Sequence, residues 1–253
     1  MYFNIYYCNL LLVFHCVVAN FLALLIILHM IKSLLFSNKN LLLVKLVGCG
    51  IFGCFCLICF TGYLLPFGQM SFWGGVVILS LLSVLPFYDY FINQIFADFS
   101  FSFVTLKRMY VLHFIIPFLT LILVIVHLEL LHVFQSSFDQ NQSSYSSLSF
   151  YPNILLVDFH VLLVWFTLIF YVISFFPFSM YESTNFNKYN SMVTPLHIVP
   201  EWYFIFFYGV LKAYSVKLSG VIFFLISIAC TLISIFSRND FIFMKSRSVL
   251  LSR

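Results

Sequence analysis

The sequence has 253 residues, of which 63% are hydrophobic and 8% are charged, and its formal net charge is +4. Soluble domains carry about 25% charged residues, so this composition excludes an ordinary water-soluble domain and favours a membrane protein. The lysines and arginines form no basic run, and nothing in the sequence indicates binding to nucleic acid.

Long apolar stretches predict the helices, because a transmembrane helix needs about 20 mostly apolar residues. Five stretches meet this length and are predicted to span the membrane: 5–33, 41–65, 108–134, 154–177 and 218–236. Two further segments, 76–85 and 200–213, are too short to span and are predicted to form an interfacial and an amphipathic helix. The sequence therefore predicts an all-α membrane protein with about five transmembrane helices and short interfacial helices.

Two pairs of histidines repeat one interval of fourteen residues: His15 and His29 in the first predicted span, His113 and His127 in the third. Fourteen residues return a helix to nearly the same face about 21 Å along its axis. Two such helices side by side would form two His–His couples at different depths, and each couple could hold a flat metal macrocycle from both sides. The interval predicts two b-type haems in a transmembrane four-helix-type bundle. A helix-to-helix hydrogen bond is the alternative for any one histidine.

Two glycines of the second predicted span, Gly48 and Gly62, repeat the same interval. A glycine has no side chain, so each could let the edge of a macrocycle approach the backbone. Ordinary packing between small residues is the alternative explanation for this pair.

Three further segments carry recognisable motifs. Residues 62–74 read Gly-Tyr-Leu-Leu-Pro-Phe-Gly-Gln-Met-Ser-Phe-Trp-Gly, residues 108–118 begin Arg-Met-Tyr-Val-Leu-His, and residues 200–203 read Pro-Glu-Trp-Tyr. Together with the histidine spacing, and in this order, they resemble the mitochondrial cytochrome b family over residues 12–236. The first is similar to the signature after that family's third helix, the second to the start of its fourth helix, and the third to its quinol-site motif.

The resemblance implies two haem b cofactors and assigns their iron ligands. His15 and His113 would bind the low-potential haem, and His29 and His127 would bind the high-potential haem. Two cations would lie near the haem propionates. Arg108 matches a propionate-neutralising cation, and the family usually has arginine at the position of Lys32.

The resemblance also implies a quinol-oxidation pocket in which Glu201 accepts or relays a proton. A carboxylate suits that role, since quinol oxidation releases two protons and an apolar site raises the pKa of a carboxyl group. Tyr208 matches another position around the pocket. The remaining residues predicted to line it are Gly74, Pro200, Trp202 and Tyr203.

On the opposite side of the membrane, His132 and Asp158 match groups that bind quinone at the family's reduction site. Reduction of a quinone requires proton donors at its carbonyl oxygens, and a histidine with an aspartic acid supplies them. Capping of the fourth span is the alternative role for Asp158. His160 is predicted to be structural.

The resemblance implies a cytochrome b subunit of the ubiquinol–cytochrome c oxidoreductase, with ubiquinone and ubiquinol as substrates, in the mitochondrial inner membrane. Residues 1–134 would form the dihaem core, and residues 135–253 a C-terminal part with the quinone-site and Pro-Glu-Trp-Tyr loops. The implied partners are the Rieske iron–sulfur subunit, cytochrome c1, other complex III subunits in a homodimeric complex, and membrane lipid.

The family's usual chain has eight helices, whereas this sequence matches its second to sixth. The expectation is that a separate chain supplies the others or that the gene is split. A different dihaem membrane cytochrome, such as a dehydrogenase anchor or a b6-type subunit, is the alternative function. A dehydrogenase anchor would share the histidine pairs and lack the Pro-Glu-Trp-Tyr motif.

Overall fold

The computed structural model describes residues 2–35, 41–96, 101–134 and 149–236. Eight α-helices account for most of these described residues: α1 Tyr2–Leu35, α2 Leu42–Leu64, α3 Gln69–Leu82, α4 Tyr88–Phe91, α5 Phe103–Phe134, α6 Leu155–Phe175, α7 Ile205–Lys212 and α8 Lys217–Phe236. Short π-helical or 3-10 turns join several of them, and the described residues contain no β-strand. The all-α prediction is confirmed.

Among the described residues, four helices are long and apolar enough to cross a membrane: Leu10–Leu34, Leu42–Leu64, Phe103–Val133 and Phe150–Phe175. They correspond to the first four predicted spans. The fifth predicted span, 218–236, coincides with the apolar helix α8, Lys217–Phe236, whose described apolar part, Lys217–Ile233, is shorter than these four. The helix and its apolar composition are as predicted, and that α8 crosses a membrane stays a prediction.

The two shorter predicted helices are present with different bounds. The interfacial helix predicted over 76–85 begins earlier, as α3 Gln69–Leu82, directly after the extended residue Gly68. The amphipathic segment predicted over 200–213 contains a 3-10 turn, Trp202–Phe204, followed by α7.

The chain divides into two compact units, and the first comprises Met1–Leu28 and Ser137–Tyr181. Within it, the ring of Phe21 on α1 packs edge-to-face against Trp165 on α6, with ring centroids 5.7 Å apart. The hydroxyl of Tyr181 donates a hydrogen bond of 2.9 Å to the carbonyl of Leu12. Aromatic packing and this tyrosine therefore hold α6 and the segment after it against α1.

The second unit comprises His29–Ser136 and Glu182–Arg253. In this unit α2 packs along α5, and α7 packs on α8. Its buried apolar core lies where the end of α2, α3 and the start of α5 meet, and it consists of Leu64, Leu79, Ile92, Phe96, Phe101 and Met109.

Backbone and amide hydrogen bonds fix the start of α3 to the segment that leads towards residue 200. The backbone N–H of Gln69 donates to the carbonyl of Asn187 at 3.0 Å, and its side-chain oxygen accepts from the N–H of Asn190 at 2.6 Å. A side chain at Gly68 would overlap the backbone oxygen of Asn185. The Gly-Gln pair of the 62–74 signature therefore positions the chain that continues into the Pro-Glu-Trp-Tyr loop.

Candidate functional site

One of the two predicted histidine couples is assembled within the second unit. His29, near the end of α1, and His127, on α5, have ring centroids 6.3 Å apart and ring planes inclined by 69°. A metal atom bonded to one nitrogen of each ring fits this separation, since each such bond is about 2 Å long. No cluster of three or more His, Cys, Asp or Glu suited to a metal occurs in the described part of the chain. The couple therefore offers two imidazoles, the number that the two faces of a haem require.

His113, on α5, turns one ring nitrogen towards the backbone of α2. Its Nδ1 atom lies 3.0 Å from the carbonyl oxygen of Ile58 and 3.3 Å from the hydroxyl of Thr61. A carbonyl oxygen only accepts hydrogen bonds, so Nδ1 must carry the proton. The lone pair of the ring then lies on Nε2, which is the atom left to bind a metal.

His127 has a matching relation to α2. Its Nδ1 atom is buried without a hydrogen bond of ordinary geometry among the described residues. The backbone of Val44 is the polar group that interacts with this ring. Val44 lies fourteen residues before Ile58, the same interval that separates His113 from His127. The two sites are therefore two copies of one arrangement, repeated along α2 and α5.

The glycines of α2 make room for the imidazole rings. A Cβ atom at Gly48 would lie 3.2 Å from Cε1 of His127, and one at Gly62 would lie 2.6 Å from Cε1 of His113. The second distance is shorter than any carbon–carbon contact that the ring could tolerate without shifting. These glycines were predicted to admit a macrocycle edge, and in the structure they also make room for the histidine rings themselves.

The remaining predicted haem residues are not brought together within one unit. His15 lies in the first unit and His113 in the second, so their pairing stays a prediction. Lys32 is exposed in the last turn of α1. Arg108 donates a hydrogen bond of 2.6 Å to the carbonyl of Gln94, and its guanidinium carries five N–H donors in all. Propionate binding by these two cations stays a prediction.

A cavity of about 500 Å³ lies in the second unit between α2, α3, α7 and α8. Its lining includes five of the residues predicted for the quinol pocket: Gly74, Pro200, Glu201, Tyr203 and Tyr208. The sixth, Trp202, is 44% exposed and does not line it. The volume is within the range of cavities that bind small organic molecules, and the lining is mostly apolar. This cavity can hold an apolar ring compound beside one carboxyl group.

Glu201 is the acidic group of this cavity, and its pKa is raised above the ordinary value of a glutamate. Burial is the main cause, because the charged form loses hydration, and the negative charge of Glu182 adds to it. Glu201 therefore stays protonated to a higher pH than a glutamate in water does.

Tyr208 holds the Pro-Glu-Trp-Tyr loop in place. Its hydroxyl donates a hydrogen bond of 2.7 Å to the carbonyl of Ile198, another lining residue of the cavity. The ammonium group of Lys212 lies 5.1 Å from the centre of the Tyr208 ring, within range of a cation–π interaction. The tyrosine thereby fixes the start of the loop against α7 and keeps Glu201 at the cavity.

The two residues predicted for quinone reduction lie in different units, His132 in the second and Asp158 in the first, and both are exposed. Their cooperation stays a prediction. The capping alternative for Asp158 is not observed, since the cap position of α6 is Ile154 and makes no side-chain hydrogen bond. The Nδ1 atom of His160 lies 2.6 Å from the carbonyl of Leu156 in its own helix, as expected of a structural histidine.

Two residues of these sites, Thr61 and Glu182, were not predicted from the sequence. Thr61 had a usable signal, since it is a hydroxyl residue directly before the second of two repeated glycines in an otherwise apolar helix. Glu182 had none, because its effect on Glu201 depends on how the segment between them folds.

The family described as Cytochrome b/b6/petB matches residues 1–135, and Cytochrome b(C-terminal)/b6/petD matches residues 188–251. Cytochrome b of Toxoplasma gondii is 38% identical over 215 residues, and that of Apis mellifera ligustica is 40% identical over 228 residues. These alignments cover 85% and 87% of this chain, and 58% of each relative.

A solved structure described as hyperthermophilic respiratory complex III aligns with a TM-score of 0.79 at 25% identity. The alignment covers 90% of this chain and 63% of that one. The chain thus spans less than two thirds of the length of the proteins it matches. Since the first family match alone includes more than half of its residues, the chain belongs to the cytochrome b family.

Proposed function

We propose that this chain is the cytochrome b subunit of a ubiquinol–cytochrome c oxidoreductase, which transfers electrons from quinol through two haem b groups to quinone. The observation that carries the proposal is the repeated ligand arrangement on α2 and α5, with the His29–His127 couple at 6.3 Å. A dehydrogenase anchor, the alternative dihaem cytochrome, would share such couples. The Pro-Glu-Trp-Tyr loop beside an apolar cavity favours the quinol-oxidising function.

His15 with His113 and His29 with His127 would bind the low-potential and the high-potential haem. When bound, the haems supply one-electron redox chemistry within the membrane. The protein's contribution is the orientation of the imidazoles. The carbonyl of Ile58 holds the proton of His113 on Nδ1, so that Nε2 carries the lone pair that would bind iron. Arg108 and Lys32 would offset the charge of haem propionates.

Quinol oxidation would take place in the cavity beside Glu201. The oxidation of one quinol releases two protons, and a carboxylate that faces the cavity can accept one of them. Its raised pKa makes Glu201 a stronger base than an exposed glutamate, which favours uptake of that proton. The Tyr208 hydrogen bond to Ile198 would maintain the orientation of the carboxyl group during turnover.

Quinone reduction would take place at a separate site. His132 and Asp158 are the proposed proton donors, and each is exposed on its helix and free to approach a quinone. The matched relatives are named cytochrome b and the solved structure a respiratory complex III, which supports assembly into a multisubunit complex. We place it in the mitochondrial inner membrane, as a homodimeric complex with a Rieske iron–sulfur subunit, cytochrome c1 and other complex III subunits.

The proposal is tested by optical spectra of the complex purified from its native membrane. Reduction by dithionite should give b-type haem bands that redox potentiometry resolves into two components of distinct midpoint potential. Ubiquinol should also reduce these haems. A preparation that contains this chain and has no b-type absorbance would contradict the proposal, and haem reduction by another donor but not by quinol would favour the alternative cytochrome.

Gly62→Ala should lower the occupancy of one haem. The new Cβ would lie 2.6 Å from the His113 ring, which must then move away from its hydrogen bond with Ile58. We expect loss of most of the lower-potential b-type absorbance at unchanged amounts of the chain. Gly50→Ala is the matched control, because a Cβ there has no neighbour within 4 Å. Equal haem content in the two variants would contradict this role of Gly62.

A further inference from the structure

The two ligand sites on α2 and α5 are equivalent except at one position. Each site combines a residue whose backbone interacts with the histidine ring, a glycine four residues later and a histidine of α5. The equivalent pairs are Ile58 and Val44, Gly62 and Gly48, and His113 and His127. Directly before the glycine, one site has Thr61 and the other has Val47. Threonine and valine have nearly the same shape, so the hydroxyl is the main chemical difference between these positions.

The Thr61 hydroxyl is oriented to accept a hydrogen bond from the histidine. Thr61 is 2% exposed, and its Oγ1 lies 2.7 Å from the carbonyl of Leu57 and 3.1 Å from that of Ile58, so its single proton is directed towards these backbone oxygens. The same oxygen lies 3.3 Å from Nδ1 of His113. Since Nδ1 carries a proton towards Ile58, the lone pair of the hydroxyl can accept from the same N–H group as a second, weaker partner.

The other site has no such acceptor from this position. Valine at residue 47 supplies no hydroxyl, and Nδ1 of His127 makes no hydrogen bond of ordinary geometry within the described part of the chain. The N–H group of His113 is therefore more strongly hydrogen-bonded than that of His127. A stronger hydrogen bond at Nδ1 increases the electron density at Nε2 and raises the basicity of the imidazole as a metal ligand.

We propose that Thr61 is a positioning residue for His113 and acts through its hydroxyl group. It lowers the midpoint potential of the haem bound by His113 relative to that of the haem bound by His127. The inference rests on the proposed haem-binding function. A more basic axial imidazole stabilises ferric iron more than ferrous iron, because it donates more electron density to the metal. The sequence difference between Thr61 and Val47 thereby contributes to the gap between the two haem potentials.

The test is redox potentiometry of the b-type bands in the purified complex. Thr61→Val should raise the midpoint potential of the lower component and leave the higher component unchanged. Thr61→Ser keeps the hydroxyl, so the midpoint potential of the lower component should stay at its original value. Val47→Thr places a hydroxyl at the equivalent position and should lower the potential of the higher component. Thr120→Val is the matched control, because the Thr120 hydroxyl bonds only to Ile116 among the described residues and should affect neither component.

Unchanged potentials in Thr61→Val, with both haems present, would overturn the inference. If the Thr61→Val variant does not assemble, Val47→Thr tests the inference by itself. An unchanged midpoint potential of the higher component in that variant would equally overturn the inference. Failure of the proposed function is distinguishable from both results, since the unmodified complex would then show either no b-type bands or bands that ubiquinol does not reduce. A shift of the same size in Thr120→Val would also overturn the inference, because it would reflect a general effect of losing a hydroxyl.

Discussion

Replacement of His127 by alanine should remove the higher-potential b-type component and leave the lower-potential component in place. His127 forms a couple with His29 at 6.3 Å, and alanine has no atom that could replace the imidazole as a ligand. Two haems of similar absorbance would then become one, so reduced-minus-oxidised spectra should lose about half of the b-band amplitude. Potentiometry identifies which component has gone.

His160→Ala is the matched control for this variant. The ring of His160 is hydrogen-bonded to the carbonyl of Leu156 in its own helix. The variant therefore loses a histidine of a predicted transmembrane helix but keeps all the proposed haem ligands. Both components should persist in that variant. If both also persisted in His127→Ala, the ligand assignment would be wrong.

The transmembrane helices could be predicted because apolar length is a local property of the sequence. The predicted and observed helix bounds differ where tertiary contacts determine the helix ends. The third span was predicted to start at Arg108, directly after Lys107, yet α5 starts at Phe103 and includes both charges. Both charges are accommodated in the helix, since Lys107 lies 5.2 Å from the ring of Phe103 and Arg108 donates to the carbonyl of Gln94.

The histidine and glycine positions could be predicted because a repeated interval identifies residues on one helix face. The interval does not say what the second ring nitrogen contacts. That depends on α2 lying against α5 so that the carbonyl of Ile58 meets Nδ1 of His113. The role of the glycines in seating the rings follows from the same packing and could not be obtained from either helix alone.

Five of the six residues predicted for the quinol pocket line one cavity, while quinol binding there stays a prediction. Trp202 is the exception, because the 3-10 turn Trp202–Phe204 gives consecutive side chains different directions and leaves this one 44% exposed. The charge environment was not predictable. Glu182 acts on Glu201 through space, and that relation depends on the intervening segment being tied to α3 through Gln69.

Glu201→Gln should slow quinol oxidation by about 100-fold, the scale on which a positioned acid–base group contributes to a rate. Glutamine keeps the shape of the side chain and cannot accept the proton that quinol releases. The measurement is the pre-steady-state rate of haem b reduction by ubiquinol. The dithionite-reduced spectrum and both haem potentials should stay unchanged, since Glu201 is not a proposed ligand. An unaltered rate would contradict the assignment of Glu201 as proton acceptor.

The pH dependence of that rate follows from the raised pKa of Glu201. Only the ionised carboxylate accepts a proton, so the rate should fall as the pH drops through the pKa of Glu201, which lies above the ordinary glutamate value. Glu182→Gln removes one of the two causes of the rise, and the acid limb of the profile should move to lower pH. The shift should be partial because burial, the larger cause, remains.

Glu129→Gln distinguishes a local effect from a general loss of negative charge. Glu129 is exposed on α5 and has no proposed part in proton transfer. The pH profile of the haem b reduction rate in Glu129→Gln should therefore coincide with that of the unmodified complex. A shift to higher pH in Glu182→Gln would have the wrong sign for a repulsion between two carboxylates. It would show that Glu182 assists ionisation of Glu201 instead, through a water molecule or a cation held between them. The direction of the shift thus decides whether Glu182 opposes or promotes the proton-accepting state of Glu201.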